Sequence, residues 1–187
     1  MQRFFPTFLF WTLILCACST GTVSPAAVSP SPTKTSLTFP TAASLEPEEC
    51  GYQWANKDLP ELSSSFQGSV QALQPEAQAN AYAFGENCIR SDGTVADFLA
   101  IETDFNISLQ VDDLANESVL GKWIVQVMTI IEKIPAEQIA GRRPGRVSIV
   151  FQSSTAQEVV NFYINQYREL SPGLNYAEIY EALKTLQ

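Results

Sequence analysis

The chain of 187 residues contains no histidine. Histidine is the usual general base near neutral pH and the commonest metal ligand. Its absence excludes Ser-His-Asp and Cys-His nucleophile systems, and any zinc site built on histidine. No Walker loop, GxGxxG, GxSxG or EF-hand pattern occurs either. The sequence therefore predicts no cofactor and no bound metal, and it favours a non-catalytic protein over an enzyme.

Basic residues are also scarce. The chain has 11 lysine and arginine residues against 20 aspartate and glutamate residues, which gives a formal net charge of −9. A negative surface repels phosphate backbones and anionic lipid headgroups. We therefore expect no nucleic acid partner, and we interpret the acidity mainly as a source of solubility.

Charge is almost absent from the first 45 residues, where Arg3 and Lys34 are the only charged side chains. Residues 4–16 are almost wholly apolar, but they are too few to span a bilayer, which takes about 20 apolar residues. A basic start, a short apolar core and small residues at its end are typical of a secretory leader.

The leader ends in Leu15-Cys16-Ala17-Cys18, which resembles the lipobox of bacterial lipoproteins. That resemblance implies cleavage after residue 17, removal of residues 1–17 and lipid attachment to Cys18. Cys16 is the competing lipid site, although the residue before it is bulky. An ordinary signal peptide or an uncleaved anchor is the alternative.

The lipoprotein resemblance also predicts a location. One acyl chain binds a membrane only marginally, whereas the two or three chains of this class anchor a protein firmly. We expect an extracytoplasmic protein, held by lipid at the cell membrane or the outer membrane.

Two segments with different compositions follow the leader. Residues 18–47 are rich in Ser, Thr, Pro and Ala, and such sequence buries too little apolar surface to fold. We predict a disordered tether there. Residues 48–187 hold most of the aromatic residues and are predicted to form one globular domain.

The predicted domain retains two cysteines, Cys50 and Cys88. In an oxidising compartment outside the cytoplasm, such a pair normally forms a disulfide. The alternative is a metal or redox pair, but the chain has neither a CxxC motif nor a histidine. We predict the disulfide.

Apolar periodicity predicts an α+β fold with the order α-β-β-α-β-β-α. The regular alternation at residues 99–111 indicates a strand with one buried and one wet face. Residues 78–111 are predicted to form a hairpin, and residues 120–134 carry a helical apolar stripe that includes Trp123, Ile124 and Ile131. We expect a four-stranded antiparallel sheet with about three helices packed on one face.

Residues 155–170 fit two structures. Val160, Phe162 and Ile164 alternate as in a strand, whereas Val159, Tyr163 and neighbouring positions also fit a helical face. Enrichment in β-branched and aromatic residues favours the strand.

Two carboxylates are the candidates for acid–base chemistry. Glu102 and Asp104 lie two residues apart, so they share one face of the predicted strand, about 7 Å apart. Paired carboxylates are what a glycosidase needs. A solvated polar strand face accounts for the same pattern and is the preferred interpretation.

Arg142, Arg143 and Arg146 form a basic cluster in a Pro/Gly-rich loop. Guanidinium groups bind carboxylates and phosphates, so this cluster is the predicted contact for an envelope protein or a glycan. Pairing with the protein's own acids is the alternative.

Aromatic residues near the predicted disulfide include Tyr52, Trp54 and Tyr82. They are able to line a sugar site, although packing is their commoner role. The sequence as a whole predicts a lipid-anchored binding module, and the rival hypothesis is a carboxylate-dependent glycan hydrolase.

Overall fold

The fold is α+β, as predicted, with five strands and four α-helices in the part of the chain that the structure describes. The computed structural model describes residues 49–170 and 172–186. In chain order the elements are β1 (Gly51–Asp58), α1 (Pro60–Gln71), β2 (Gln78–Ile89), β3 (Val95–Gln110), α2 (Glu117–Ile131), β4 (Arg146–Gln152), β5 (Gln157–Tyr163), α3 (Ile164–Arg168) and α4 (Tyr176–Lys184). A short 3-10 turn, Ala136–Gln138, follows α2. The leader, Cys18 and the predicted tether lie outside the described residues.

The five strands form one mixed sheet in the order β1-β2-β3-β4-β5. Three neighbouring pairs are antiparallel, but β3 and β4 are parallel. The predicted four-stranded antiparallel sheet is therefore wrong in detail. The chain leaves the end of β3, crosses the sheet through α2 and enters β4 from the opposite end, which makes the two strands parallel.

Strand β1 is the element that the sequence did not predict. It is an edge strand, and seven of its eight residues are exposed. Because neither of its faces is buried, its sequence lacks the alternation of apolar and polar residues that marks a half-buried strand. A disulfide joins Cys50, just before β1, to Cys88 near the end of β2, with the Cα atoms 5.1 Å apart. The predicted pairing is confirmed.

The ambiguous segment at residues 155–170 contains both predicted structures in succession. Strand β5 covers Gln157–Tyr163, and helix α3 begins at the next residue, Ile164. The strand interpretation was right for Val160 and Phe162 and wrong for Ile164, which lies at the start of the short helix.

The core lies between the sheet and the helices, and it explains the periodicity seen in the sequence. The apolar stripe of α2 packs there, with Ile124 fully buried and Ile131 5% exposed, while Trp123 is half-buried. The sheet residues in this core share one face of β2 to β5: Ala81, Phe105, Ile107, Leu109, Val147, Ile149, Phe151, Val160 and Phe162. The helices therefore cover that face, and no described helix covers the opposite one, which we call the open face.

A polar contact fixes α4 against β5. Lys184 forms an ion pair with Glu158 at 2.8 Å, and the Tyr180 hydroxyl donates a hydrogen bond to the same carboxylate. Burial, together with this acceptor, raises the pKa of Tyr180 to about 12. The cluster is accounted for by the docking of the last helix.

Candidate functional site

The three predicted arginines lie in one loop, residues 139–146, which we call the arginine loop. It runs along β3 and is fastened to it. The backbone N–H groups of Arg142 and Arg143 both donate to the carbonyl oxygen of Ile101, at 2.9 and 3.0 Å. The Thr103 hydroxyl donates to the carbonyl of Ala140 and accepts from its N–H, each at 2.8 Å. These four hydrogen bonds fix the backbone from which the arginine side chains project.

Two glycines allow the arginine loop to lie this close to β3. A Cβ atom on Gly145 would lie 1.7 Å from the carbonyl oxygen of Thr103, which no side chain tolerates. Gly141 has φ +85°, in the left-handed region that favours glycine. The two glycines of this loop are therefore explained by a close approach between two backbones.

The arginine side chains fall into two groups. Arg142 and Arg143 are exposed, and no described carboxylate lies within 4.0 Å of either guanidinium group. Arg146 is tied into the sheet: its backbone N–H donates to Asp104 Oδ1 at 2.7 Å, and its Nη2 atom donates to the Tyr82 hydroxyl at 3.5 Å. The hydrogen bond to Tyr82 is the main reason why the pKa of Arg146 is raised.

Both candidate carboxylates lie beside this loop on the open face. Glu102 is 8% exposed and Asp104 is 4% exposed, so the expectation of a solvated strand face is wrong for these two residues. Tyr82 and Phe84 flank them on β2, and the backbone of Arg143 pairs with that of Glu102 on the other side. From the sequence, the carboxylates and the arginines were separate candidate sites, whereas in the fold they are neighbours.

Glu102 has the more unusual environment of the two carboxylates. Burial raises its pKa, and the charge of Asp104 raises it further, while Arg143 and Arg146 oppose the shift. No hydrogen bond or ion pair joins its carboxylate to any side chain in the described part of the chain. Asp104 differs because it accepts the hydrogen bond from the backbone of Arg146. One carboxylate is therefore anchored and the other has an unused hydrogen-bonding capacity.

The predicted aromatic residues also belong to the open face. Trp54 stacks on Phe84, with ring centroids 5.3 Å apart and an interplanar angle of 9°. Trp54 is 61% exposed and Tyr52 is 68% exposed, so these two side chains are not core packing near the disulfide. We call Tyr52, Trp54 and Phe84 the aromatic platform. Tyr82 is separate from it and serves as the acceptor for Arg146.

Sequence reasoning missed two features of this site: the link from Arg146 to Asp104 and Tyr82, and the contribution of Phe84. The link joins residues 42 positions apart on β3 and at the start of β4. It depends on the parallel register between these strands, which the expected antiparallel sheet did not contain. Phe84 had an available signal, since it alternates with the small residues of β2, but its stacking partner lies on the strand that was not predicted.

Comparison with known proteins adds no family assignment. No protein-family model matches the chain, and no curated protein does. Among the helices of the described residues, none is long and apolar enough to cross a membrane. Within the same residues, no group of three or more acidic or cysteine side chains converges as a metal site would require.

Proposed function

We propose that this chain is an extracytoplasmic lipoprotein, anchored through Cys18 and a tether over residues 18–47, whose domain binds an acidic partner through the arginine loop. The membrane side of the proposal rests on the lipobox resemblance of Leu15-Cys16-Ala17-Cys18. The binding side rests on one structural observation: Arg142 and Arg143 are exposed and unpaired among the described residues, on a backbone that is fixed to β3.

This arrangement favours binding for an energetic reason. An arginine that is already paired within the protein must give up one carboxylate in order to bind another on a partner. Such an exchange contributes little to the free energy of binding. Among the described residues, neither Arg142 nor Arg143 forms an ion pair that it would have to give up, although the charge of Arg143 acts on Glu102 at longer range. Because their loop is fastened by four hydrogen bonds, ordering it on binding costs little backbone entropy.

The chemistry of the partner follows from the guanidinium groups. Their forked donors match carboxylates and other planar or tetrahedral anions. The rest of the molecule carries net negative charge, which repels extended polyanions such as nucleic acids. The arginine loop therefore suits a local acidic group on an envelope protein or on a glycan. Arg146 contributes less directly, since its side chain already contacts Tyr82.

A binding experiment tests this proposal directly. The mature chain without its lipid cysteine, residues 19–187, is immobilised and exposed to host envelope extract at about 50 and 300 mM salt, which shortens the screening length about twofold or more. We expect captured material to be lost at high salt and in the Arg142→Ser/Arg143→Ser variant. The Glu102→Gln/Asp104→Asn variant is the matched control and should retain it. Salt-insensitive capture that survives the arginine changes would contradict the proposal.

A second candidate function, a carboxylate-dependent glycan hydrolase, is favoured by one observation. Glu102, whose pKa is raised by burial, lies two residues from Asp104 on the same face of β3, and a pair of carboxylates of which one has a raised pKa is what a general acid and its partner carboxylate need. For this enzyme Glu102→Gln or Asp104→Asn abolishes turnover, whereas changes in Arg142 and Arg143 matter little. The same set of variants therefore separates the two functions.

A further inference from the structure

The aromatic platform is an exposed apolar surface that the arginine loop does not explain. Trp54 and Tyr52 expose more than half of their surface on an edge strand, at 61% and 68%. The ring of Trp54 is stacked on that of Phe84, with ring centroids 5.3 Å apart and an interplanar angle of 9°. Large aromatic side chains that remain exposed in an ordered arrangement are typical of sites that bind a ligand.

Polar groups flank this platform in a regular way. Register places Asn56, Phe84 and Glu102 side by side on three neighbouring strands. Glu102 is only 8% exposed, and none of the described side chains hydrogen-bonds its carboxylate. No side-chain oxygen of the described residues is both fully buried and without a partner, so the Glu102 carboxylate reaches the surface of the open face. It is therefore ready to accept hydrogen bonds from a ligand that lies across Phe84.

The polar side chains on the adjoining rows of the open face favour a hydroxyl-rich ligand over an apolar one. Beyond the carboxylates, the next row across the sheet consists of amides and a hydroxyl: Asn80, Asn106, Ser148 and Asn161. An apolar protein surface laid on this row would leave its donors and acceptors unsatisfied. A ligand that has both flat C–H faces and many hydroxyl groups satisfies the platform and the amides together.

The charged residues beside the platform restrict the class of ligand further. Glu86 pairs with Trp54 in the register, and Glu102 pairs with Phe84, so carboxylates lie on both strands beside the platform. They favour neutral hydroxyl groups over acidic groups, although Arg143 and Arg146 offset part of the charge of Glu102. The platform therefore differs in its charge preference from the arginine loop.

We propose that the open face is a binding site for an uncharged saccharide chain, with Trp54 stacked on Phe84 as the sugar-binding platform and the Glu102 carboxylate as the hydroxyl acceptor beside it. The C–H face of a pyranose ring lies on the exposed side of Trp54. Asn56 and Glu102, which lie on either side of Phe84 in the register, then offer an amide and a carboxylate to the neighbouring sugar units. The inference uses residues different from Arg142 and Arg143, and it stands or falls independently of the proposed acidic partner.

Calorimetric titration of residues 19–187 with two neutral β-linked probes, chitohexaose and cellohexaose, tests the inference. We expect saturable binding to at least one probe, with a Kd in the range of about 10 μM to 1 mM. Trp54→Ala should weaken binding at least about tenfold, and Trp54→Phe should restore part of it because a flat ring remains. Glu102→Gln should also weaken binding about tenfold, since an amide is the poorer acceptor.

Tryptophan fluorescence provides a second readout. Residues 19–187 contain only Trp54 and Trp123, and the latter is half-buried on α2. In a Trp123→Phe background the probe should therefore change the emission of Trp54 directly. Because Trp54 is exposed, its replacement should leave the thermal unfolding of the protein nearly unchanged, and a melting curve checks this.

The matched control is Arg142→Ser, which should bind the probe as the wild type does, since Arg142 is not among the charges that act on Glu102. Cleavage of the probe that requires both Trp54 and Glu102 would support the saccharide site and favour the hydrolase. The inference is overturned if neither probe binds at about 10 mM, or if Trp54→Ala and Glu102→Gln both bind like the wild type. Loss of binding in the arginine variant alone would also overturn it.

Discussion

Gly145→Ala is the most direct test of how the arginine loop is held against β3. The added Cβ would lie 1.7 Å from the carbonyl oxygen of Thr103, whereas ordinary contacts begin at 3.4 Å. The loop must therefore retreat by more than an ångström, because its neighbour is the backbone of a central strand. The backbone N–H of Arg146 would then leave Asp104 Oδ1, now at 2.7 Å.

The expected cost of Gly145→Ala combines two effects. Overpacking costs about 1–3 kcal/mol, and loss of a hydrogen bond to a charged group costs about 1.5–3 kcal/mol. Since the retreat relieves part of the overlap, we expect a total loss of about 2–5 kcal/mol in the free energy of unfolding. Association with the acidic partner should weaken as well, although no arginine has been changed.

Urea unfolding followed by far-ultraviolet circular dichroism measures the effect of Gly145→Ala. Gly68→Ala is the matched control, because Gly68 lies inside α1 and the Cβ it would gain meets no atom within 4 Å beyond its own helix backbone and chain neighbours. That change should stabilise the protein by about 0.5–1 kcal/mol through helix propensity. A Gly145→Ala variant within about 0.5 kcal/mol of the wild type would refute the argument that the loop is fixed by this contact.

Four further predictions concern other parts of the molecule. Burial and the charge of Asp104 raise the pKa of Glu102, so the protonated carboxyl stabilises the folded protein and this stabilisation is lost as pH rises through that pKa. Glu102→Gln should therefore unfold at a higher temperature than the wild type at pH 7. The melting temperatures of the two proteins should converge below the ordinary glutamate pKa of 4.5. Ile124→Ala should cost about 2–5 kcal/mol in urea unfolding, since Ile124 is fully buried, and a loss below about 0.5 kcal/mol would contradict its place in the core. Reducing the Cys50–Cys88 bond, which closes a loop of 38 residues, should lower stability by up to about 4 kcal/mol in a thermal melt, and an unchanged melt would contradict this. Cys18→Ser should abolish acyl labelling and release the protein from membranes, and labelling that persists would place the lipid elsewhere.

Glu102→Gln is expected to move stability and ligand binding in opposite directions. The same change is expected to stabilise the protein and to weaken sugar binding. A residue that lowers stability at neutral pH and improves ligand binding is a common compromise at functional sites. Thermal melts and calorimetry on one variant therefore measure both sides of that compromise.

The sequence predicted those elements whose side chains are sorted by burial. The alternation along β3 correctly predicted Phe105, Ile107 and Leu109 in the core, and the stripe of α2 correctly predicted Ile124 and Ile131, since both patterns follow from a core on one side. The alternation was wrong for Leu99, which is exposed. Strand β1 was not predicted, because an edge strand with two exposed faces carries no such pattern. The helix between β3 and β4 did contain the signal for a parallel pair, since a helical crossover normally joins parallel strands.

The residues of the candidate site could be predicted from the sequence, but their arrangement in space could not. The clustering of Arg142, Arg143 and Arg146 is visible in the sequence, and so is the spacing of Glu102 and Asp104. Their proximity is not visible, because it depends on which strand lies next to β3 and in which register. The low exposure of the two carboxylates could not be inferred either, because an alternating polar pattern predicts a solvated face.

The position of the disulfide has a consequence for mechanical load. If the chain is tethered ahead of Cys50, a pull reaches the folded part at the end of β1 where Gly51 pairs with Ile89. Without a cross-link, that pull would unzip β1 from β2 one hydrogen bond at a time. The Cys50–Cys88 bond lies at this end and transfers the force directly to β2, which β3 holds along its whole length. Under reducing conditions β1 becomes the first strand to peel away, and it takes Tyr52 and Trp54 with it.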